Sequence, residues 1–349
     1  MWFRDGHAGF GAGVLLGALA LGVALPLGAQ ARSLDGLVLA EGGAAVPYAL
    51  VSITGRRDRQ FSSLQGRFRF TDLPRGELTV HVAQIGYEPQ DVVVPDSVGS
   101  IRVVLQRSAY VLPELAVEGR CQPGLRGVPA SVRPLLQQAL QAAERVRILE
   151  HDYPLRYHRF HTTVTVAGET RTINRADTVR SDSRNEGGYR AGYVLTKGPL
   201  SDPLRMFSVA DLATEEFQKN HCFEYGGGET AKGGSVRLAF RPRPGLKSAD
   251  WEGTLMLDRA TSILKESYVK LVGIPAWSRV ESAECRVRYG EVFPTLVLEQ
   301  SLDCETVNAD GRGGRRVLDS RELGRFEFLK KVPGREAGNP PSGTPSPTA

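Results

Sequence analysis

The sequence predicts a mainly β protein: a β-sandwich followed by an α+β domain in which one helix packs on a curved antiparallel sheet. Apolar and polar residues alternate over short runs in residues 33–107 and again beyond residue 153, which is the period of half-buried strands. Only residues 131–148 show a strong helical period instead. The 349 residues are 41% hydrophobic and 24% charged, a globular composition that excludes collagen, a coiled coil and a wholly disordered chain.

Residues 1–31 have the features of a secretory signal peptide. Arg4 lies in a short polar start, an apolar run extends over residues 12–27, and Ala29 and Ala31 supply the small residues of a cleavage site. We therefore expect an exported protein of the periplasm or the cell surface. An uncleaved anchor is the alternative for this segment. No later run approaches the roughly 20 apolar residues of a membrane-spanning helix, so we expect no span after cleavage.

The first domain is predicted over residues 33–107. Pairs such as Gly42-Gly43 and Gln65-Gly66 supply the turns that separate its alternating runs. Six or seven short strands at this spacing predict a β-sandwich. The apolar faces of four of these strands are Ala49, Val51 and Ile53; Phe68 and Phe70; Leu78, Val80 and Val82; and Ile101, Val103 and Leu105.

Several elements of this domain occur in an order that carries a resemblance. They are Gly36 and Val38, Val51-Ser52-Ile53, Gly66 to Phe70, Leu73 to Gly76, and Ile85-Gly86-Tyr87. In this succession the segment resembles the carboxypeptidase regulatory-like domain. The resemblance implies a transthyretin-like sandwich, similar to a carbohydrate-binding-like fold, that serves as an accessory module of exported proteins. It implies architecture and export, and it does not imply peptidase activity.

A zinc carboxypeptidase needs a His and a Glu three residues apart and a later His as the third ligand. His221 and Glu224 form the only His-x-x-Glu pair, and no histidine follows them. We therefore expect no metal, no cofactor and no enzymatic activity. The alternative is an accessory or degenerate member of a metallocarboxypeptidase-linked family that retains this pair.

Residues 108–130 are predicted to be a linker, because proline and glycine interrupt every periodic pattern there. Residues 131–148 follow as the predicted helix, with Ser131 in a position to cap its first turn. Its apolar stripe is expected to pack against a sheet. The stripe consists of Leu135, Leu136, Leu140, Ala143 and Val146.

Residues 332–349 are predicted to be a disordered tail because they are rich in proline, glycine, serine and threonine. The second domain is predicted over residues 131–331. With the helix, its strands predict a curved antiparallel sheet. The stretch from Trp251 to Asp258 is similar, in topology only, to the half-barrel of periplasmic lipoprotein carriers, which implies a sheet that holds an apolar ligand. The predicted strands are 157–166, 235–240, 253–257, 262–271, 279–289, 295–302 and 315–329.

A further resemblance covers most of the mature chain. It rests on a cysteine after the first module, His221-Cys222-Phe223, a strand that ends in Phe240-Arg241-Pro242, and the turn from Gly253 to Asp258. In these features the chain is similar to a set of exported two-domain proteins, which has no established activity to carry over.

Four cysteines remain after export, and an even number in an oxidising compartment predicts two disulfides. They are Cys121, Cys222, Cys285 and Cys304. Four cysteines allow three pairings, so the sequence leaves the connectivity open. We prefer Cys121 with Cys222 and Cys285 with Cys304. The spacing lacks the close pairs of a zinc ribbon, which argues against a metal site built from all four thiolates.

Aromatic side chains are the remaining candidates for a ligand surface, since rings with polar tips suit sugars and wet grooves. We expect Trp251, Trp277 and Tyr225 to be exposed for this purpose. The net charge of +5 is spread along the chain as isolated arginines, so we expect no nucleic-acid partner.

These observations favour a non-enzymatic exported protein that acts as a binding module or scaffold. Its partner is expected to be a protein, a glycan or a lipid, which the sequence does not distinguish. Besides the metallocarboxypeptidase-linked alternative, a further alternative is that the sandwich itself is a carbohydrate-binding module.

Overall fold

The computed structural model describes residues 32–108, 128, 130, 132–183, 188–199, 201–226, 234–293, 296–309 and 315–330. The predicted signal peptide, most of the predicted linker, Cys121 and the predicted tail lie outside these ranges. Within the described ranges, no helix combines the length and the apolar character that crossing a membrane requires.

The first seven strands form two sheets that face each other. One sheet has the order β4-β1-β7 and the other has the order β3-β2-β5-β6. Their inward side chains form a separate core that includes Val51, Val80 and Val82, so the predicted sandwich is confirmed. The strands are β1 (Arg32–Ala40), β2 (Leu50–Ile53), β3 (Arg59–Phe61), β4 (Arg67–Leu73), β5 (Leu78–Ala83), β6 (Gln90–Val94) and β7 (Ser100–Leu105).

One glycine of the sandwich is required by a neighbouring ring. Gly36 of β1 lies directly opposite Phe68 of β4. A Cβ atom at Gly36 would lie 1.9 Å from Cζ of Phe68, so the ring occupies the space that any other side chain would need. This close approach fixes how β1 and β4 pack.

Helix α1 (Arg133–Asp152) follows the sandwich. The helix begins later than predicted, and its N-cap, Val132, makes no side-chain capping bond. Ser131, the predicted cap, lies outside the described residues. The helix also ends four residues later than predicted. Half of its 20 residues are buried, which is more than a helix with a single packing face would bury.

The remaining strands form one antiparallel sheet of nine strands, in the order β10-β11-β12-β13-β14-β15-β16-β8-β9. Helix α1, a short 3-10 helix (Val209–Ala213) and helix α2 (Glu215–Asn220) accompany it. The mainly β fold with one packed helix is thereby confirmed. The strands are β8 (Leu155–Ala167), β9 (Thr170–Asp182), β10 (His221–Tyr225), β11 (Ser235–Pro242), β12 (Asp250–Asp258), β13 (Leu264–Val272), β14 (Val280–Phe293), β15 (Leu296–Asn308) and β16 (Arg315–Phe328).

Two strands were not predicted. Strand β9 is exposed on both faces from Thr170 to Arg180, so its sequence has no apolar side to alternate with a polar one. Strand β10 begins directly after α2, and its first three residues are all buried, which again removes the alternation. Both strands are held by backbone pairing with a neighbour.

Helix α1 lies between the two sheet systems. The larger core contains the inward side chains of the nine-stranded sheet, the apolar residues of α1, and Tyr48, Leu50 and Phe61 of the sandwich. One face of the helix therefore packs on the large sheet while another packs on the sandwich. This arrangement positions the candidate site.

Candidate functional site

Three polar residues of α1 that are seven positions apart contact the sandwich. Because seven residues are close to two helical turns, Gln138, Arg145 and Asp152 lie along one side of the helix. Gln138 accepts a hydrogen bond from the backbone N–H of Gly86 at 2.7 Å and donates one to the carbonyl oxygen of Tyr87 at 2.9 Å. We call these three residues the polar stripe.

Arg145 is the central and most buried residue of the polar stripe. Its guanidinium donates to Oε1 of Gln84 at 2.7 Å and to the carbonyl oxygen of Tyr48, and it lies 5.0 Å from the ring centre of Phe61. All three partners are uncharged, and no carboxylate of the described residues lies within ion-pair distance. Burial lowers the pKa of Arg145 to about 9. The cation therefore has hydrogen-bond acceptors but no counter-charge.

The C-terminal end of the stripe is an ordinary ion pair. Arg59 donates to the two carboxylate oxygens of Asp152 at 2.7 and 3.2 Å. Burial alone would raise the pKa of Asp152, but hydrogen bonds from Arg59 and His151 outweigh it, so that this pKa is lowered. Both side chains are about one-quarter exposed, which limits the strength of this contact.

A groove of about 950 Å³ runs beside the polar stripe, between α1 and strands β2 and β5. Polar groups of both elements, among them Gln141 and Arg145, interrupt its apolar walls. Its volume falls within the range of about 300–1,000 Å³ that is usual for small-molecule sites. We call it the domain groove. Its apolar lining comprises Leu50, Ile53, Ala83, Pro89, Leu140 and Ile148.

Gln141 is the unusual residue of the domain groove. Both Nε2 and Oε1 of its side chain are buried, and neither has a hydrogen-bond partner. Nε of Arg145, on the same stretch of helix, is likewise buried without an acceptor. Buried polar groups are nearly always paired, with protein or with an ordered molecule. Two unpaired donors and one unpaired acceptor in one groove therefore indicate a place for a polar group that the protein does not supply.

A second cleft, of about 600 Å³, lies on the other flank of α1, against strands β8, β15 and β16. We call it the sheet cleft, and it is where the sequence predicted an apolar ligand. Two of its arginines have carboxylate partners: Arg147 is 2.6 Å from Glu144 and Arg321 is 3.0 Å from Asp319. Among the described residues, no side chain that lines it has a buried polar atom without a partner.

The three aromatic residues that the sequence proposed for a ligand surface do not meet. Trp251 is only 1% exposed and its indole N–H donates to the carbonyl oxygen of Arg205 at 2.8 Å, so the expectation that it is exposed was wrong. Trp277 is 45% exposed in the connection between β13 and β14. Tyr225 is half-buried at the far end of β10, where it pairs with Leu238.

The His221 and Glu224 pair does not form a metal site, because residues three apart on a strand face opposite ways. His221 is buried; its ring stacks on Phe217 at 3.9 Å, and its two nitrogens lie 2.9 and 3.2 Å from backbone carbonyl oxygens. Glu224 instead pairs with Arg241 at 2.7 Å. Among the described residues, no three His, Cys, Asp or Glu side chains are grouped to bind a metal ion.

A buried polar network adjoins His221. The hydroxyl of Tyr189 donates to Asp250, and Oδ1 of Asp250 lies 3.6 Å from Nε2 of His221. Burial, followed by the hydrogen bond to Asp250, raises the pKa of Tyr189. Asp250 and His221 have no solvent exposure, so this network holds the core together and is closed to a substrate.

One of the two preferred disulfides is confirmed. Cys285 of β14 and Cys304 of β15 are directly opposite in the sheet and are bonded to each other. Cys222 is also disulfide-bonded. Its preferred partner, Cys121, lies outside the described residues.

A comparison with known protein families finds a match for the sandwich. The family model described as carboxypeptidase regulatory-like domain matches residues 33–106, which are β1 to β7 and their connections. This segment is a carboxypeptidase regulatory-like domain. The match covers the regulatory-like domain and does not extend to α1 or the nine-stranded sheet. A search of curated proteins finds no match.

Two solved structures show remote similarity to the chain. The Bacillus anthracis TIE protein has 9% sequence identity and a TM-score of 0.21; the alignment covers 86% of this chain and 49% of that one. The chain thus spans about half of that structure. BcpA, the major pilin subunit of Bacillus cereus, has 7% identity and a TM-score of 0.18, with coverages of 84% and 95%. At these TM-scores neither similarity bears on the site.

The residues that distinguish the domain groove were not found from the sequence. Gln141 and Arg145 fall on the polar side of the predicted helix, where side chains normally face water. A faint signal was present, because Gln138, Arg145 and Asp152 repeat at seven-residue spacing. Without the position of the sandwich, however, that repeat cannot be told from an exposed face.

Proposed function

We propose that the protein is an exported, non-enzymatic binding protein, and that it holds a small amphipathic ligand in the domain groove. The observation that carries this proposal is Gln141, whose buried amide has neither donor nor acceptor partner among the described residues. A ligand with a polar head would satisfy this amide, and its apolar part would cover Leu140 and Ile148.

The regulatory-like domain supplies one wall of this site. Its strands β2 and β5 contribute Leu50 and Ala83 to the groove, and its loops are fixed to α1 by the polar stripe. In this proposal the sandwich is a structural partner of α1 that completes a binding site. This role differs from the carbohydrate-binding alternative, in which the sandwich alone would recognise the ligand.

The proposal of a binding role without catalysis rests on the surroundings of the groove. Most of its titratable side chains have polar partners: Arg56 forms an ion pair with Asp58, Arg59 forms one with Asp152, and Nδ1 of His81 lies 2.7 Å from Asp91. Export is supported by the signal-peptide features of residues 1–31 and by the Cys285–Cys304 disulfide, since such bonds persist in oxidising compartments.

Native mass spectrometry of the full chain, secreted from an oxidising host, tests the proposal. The probe is decyl maltoside, a neutral amphiphile added below its critical micelle concentration. We expect one molecule to bind to the wild-type protein. Gln137→Trp should abolish this binding, because Gln137 is exposed and lines the groove, so that an indole there fills the space without disturbing the core.

Leu323→Trp is the matched control, since it places the same ring in the sheet cleft. Binding that survives Leu323→Trp and is lost in Gln137→Trp supports the domain groove. The reverse pattern, or no stoichiometric binding to the wild-type protein, overturns the proposal.

A further inference from the structure

We infer that the ligand of the domain groove carries a negatively charged head group on a single apolar chain. This inference rests on the proposed function and adds the ligand's charge. It follows from a comparison of the charged groups that line the groove with the partners that each of them already has.

Most of these charged groups are neutralised within the protein. Arg56 and Arg59 each pair with a carboxylate, at 2.5 and 2.7 Å. Glu144, which lines the groove, pairs with Arg147 at 2.6 Å, so its negative charge is not free to repel an anion. These pairs contribute no net charge to the site.

Two arginines remain without a counter-charge. Arg145 has only uncharged partners, and Arg133 is exposed at the start of α1 with no carboxylate of the described residues within ion-pair distance. Both line the groove. The groove is therefore lined by two arginines without a counter-charge, one of which is buried.

A buried charge without a partner is costly, and a ligand of opposite charge removes that cost. The unpaired donors have the chemistry that an anion requires: Nε of Arg145 and the Nε2 amide group of Gln141 are both N–H donors. Hydrogen bonds from such donors to an ionised oxygen are stronger than those to a neutral one. A carboxylate head would accept hydrogen bonds from both donors and its apolar chain would lie along the apolar walls, while Oε1 of Gln141 would receive no hydrogen bond from it.

Isothermal titration calorimetry with three probes of equal chain length tests the inference. The probes are dodecanoate, dodecanol and dodecylammonium, each below the concentration at which it aggregates, at pH 7.5 and low salt. We expect dodecanoate to bind at least tenfold more tightly than dodecanol, and dodecylammonium to bind more weakly than both. Equal affinities for dodecanoate and dodecanol would overturn the charge inference and leave the binding site in place.

Matched variants place the charge effect in the groove. Arg133→Gln should weaken dodecanoate binding about fivefold or more while leaving dodecanol binding nearly unchanged, because it removes only a charge. Gln141→Leu should also weaken dodecanoate binding about fivefold or more, and it should weaken dodecanol binding less, because a hydroxyl forms a weaker hydrogen bond with the amide than a carboxylate does. The controls are Gln106→Leu and Arg102→Gln, which make the same changes at exposed positions outside the groove. We avoid substituting Arg145 here, because it also joins α1 to the sandwich.

The outcomes separate the two proposals. Weakened dodecanoate binding in the groove variants but not in the controls supports the inference. Dodecanoate binding that is unchanged in both groove variants overturns it. If none of the three probes binds to the wild-type protein, the proposed function itself fails together with the inference.

Discussion

Arg145 of helix α1 donates a hydrogen bond to Oε1 of Gln84 in the sandwich at 2.7 Å, and both residues are buried. The amide of Gln84 is in turn fixed by donating to the carbonyl oxygen of Pro47 at 2.9 Å. A cation on the helix is thus held by a neutral amide of the other domain. The contact links the regulatory-like domain to the helix that carries the groove.

Gln84→Leu should destabilise the protein by about 3 kcal/mol, because it leaves a buried guanidinium N–H without its acceptor. Urea unfolding monitored by circular dichroism measures this change. Gln106→Leu, at an exposed position, is the control and should change the unfolding free energy by less than about 0.5 kcal/mol.

Adding Arg145→Met to Gln84→Leu should recover part of the loss, since an apolar pair no longer buries an unsatisfied charge. A Gln84→Leu protein as stable as the wild type would contradict the role given to this contact.

Arg59 and Asp152 should contribute a coupling energy of about 0.5–1 kcal/mol between the sandwich and α1. Their side chains are only about one-quarter exposed but remain in contact with water, which keeps the pair in the range of surface ion pairs. A double-mutant cycle with Arg59→Gln and Asp152→Asn measures the coupling. It should decrease in 1 M NaCl because salt screens the pair, and a coupling that is absent at low salt would refute the expectation.

Asp202 should make stability depend on pH in the acid range. It accepts hydrogen bonds from the backbone N–H of Arg279 at 2.7 Å and of Gly198 at 3.2 Å, and from the Ser278 hydroxyl at 3.3 Å. The bond from Arg279 contributes most to lowering its pKa below the usual value. A carboxyl with a lowered native pKa stabilises the fold above its unfolded pKa of about 3.9, and this contribution is lost as pH falls further.

Asp202→Asn should therefore cost about 1–2 kcal/mol at pH 7, and the difference from the wild type should shrink between pH 4 and pH 2.5. Urea titrations at a series of pH values test this. The control, Glu41→Gln, changes an exposed carboxylate and should show no such trend. A difference for Asp202→Asn that is constant from pH 7 to pH 2.5 would rule out the hydrogen-bonded carboxylate as its cause.

Removal of the Cys285–Cys304 disulfide should cost about 3 kcal/mol, because a bond that closes a loop of this size restricts the unfolded chain. The two residues are 19 positions apart and opposite each other on neighbouring strands. The double variant Cys285→Ala, Cys304→Ala should still fold, since the ladder between β14 and β15 does not depend on the sulfurs. A loss below about 1 kcal/mol in denaturant unfolding would disagree with this account.

The sequence predicted those parts of the fold in which one side of a strand or helix is buried and the other is not. The alternation of Val80 and Val82 with polar residues gave β5, and Cys285 and Cys304 were paired correctly. Strand β9 was missed because water surrounds both of its faces. The prediction that Trp251 is exposed was wrong because an indole ring occurs both on surfaces and in cores. A tryptophan can be buried when its N–H has an acceptor, and the acceptor here is the carbonyl oxygen of Arg205, which the sequence does not reveal.

The candidate site was not predictable from the sequence for a related reason. The sequence assigns α1 one packing face, but the folded helix has two, and the second depends on where the sandwich lies. Arg145 and Gln141 are polar residues on a helix, and nothing local distinguishes them from solvated ones. Their burial is a property of the contact between domains.

In the function proposed above, the domain groove holds an anionic amphiphile against Gln141. A crystal structure of the oxidised full-length mature protein with dodecanoate tests it most directly. We expect a carboxylate within hydrogen-bond distance of Nε2 of Gln141 or Nε of Arg145, with its chain along Leu140 and Ile148. Density for water alone beside Gln141, or a dodecanoate in the sheet cleft, would contradict the claim.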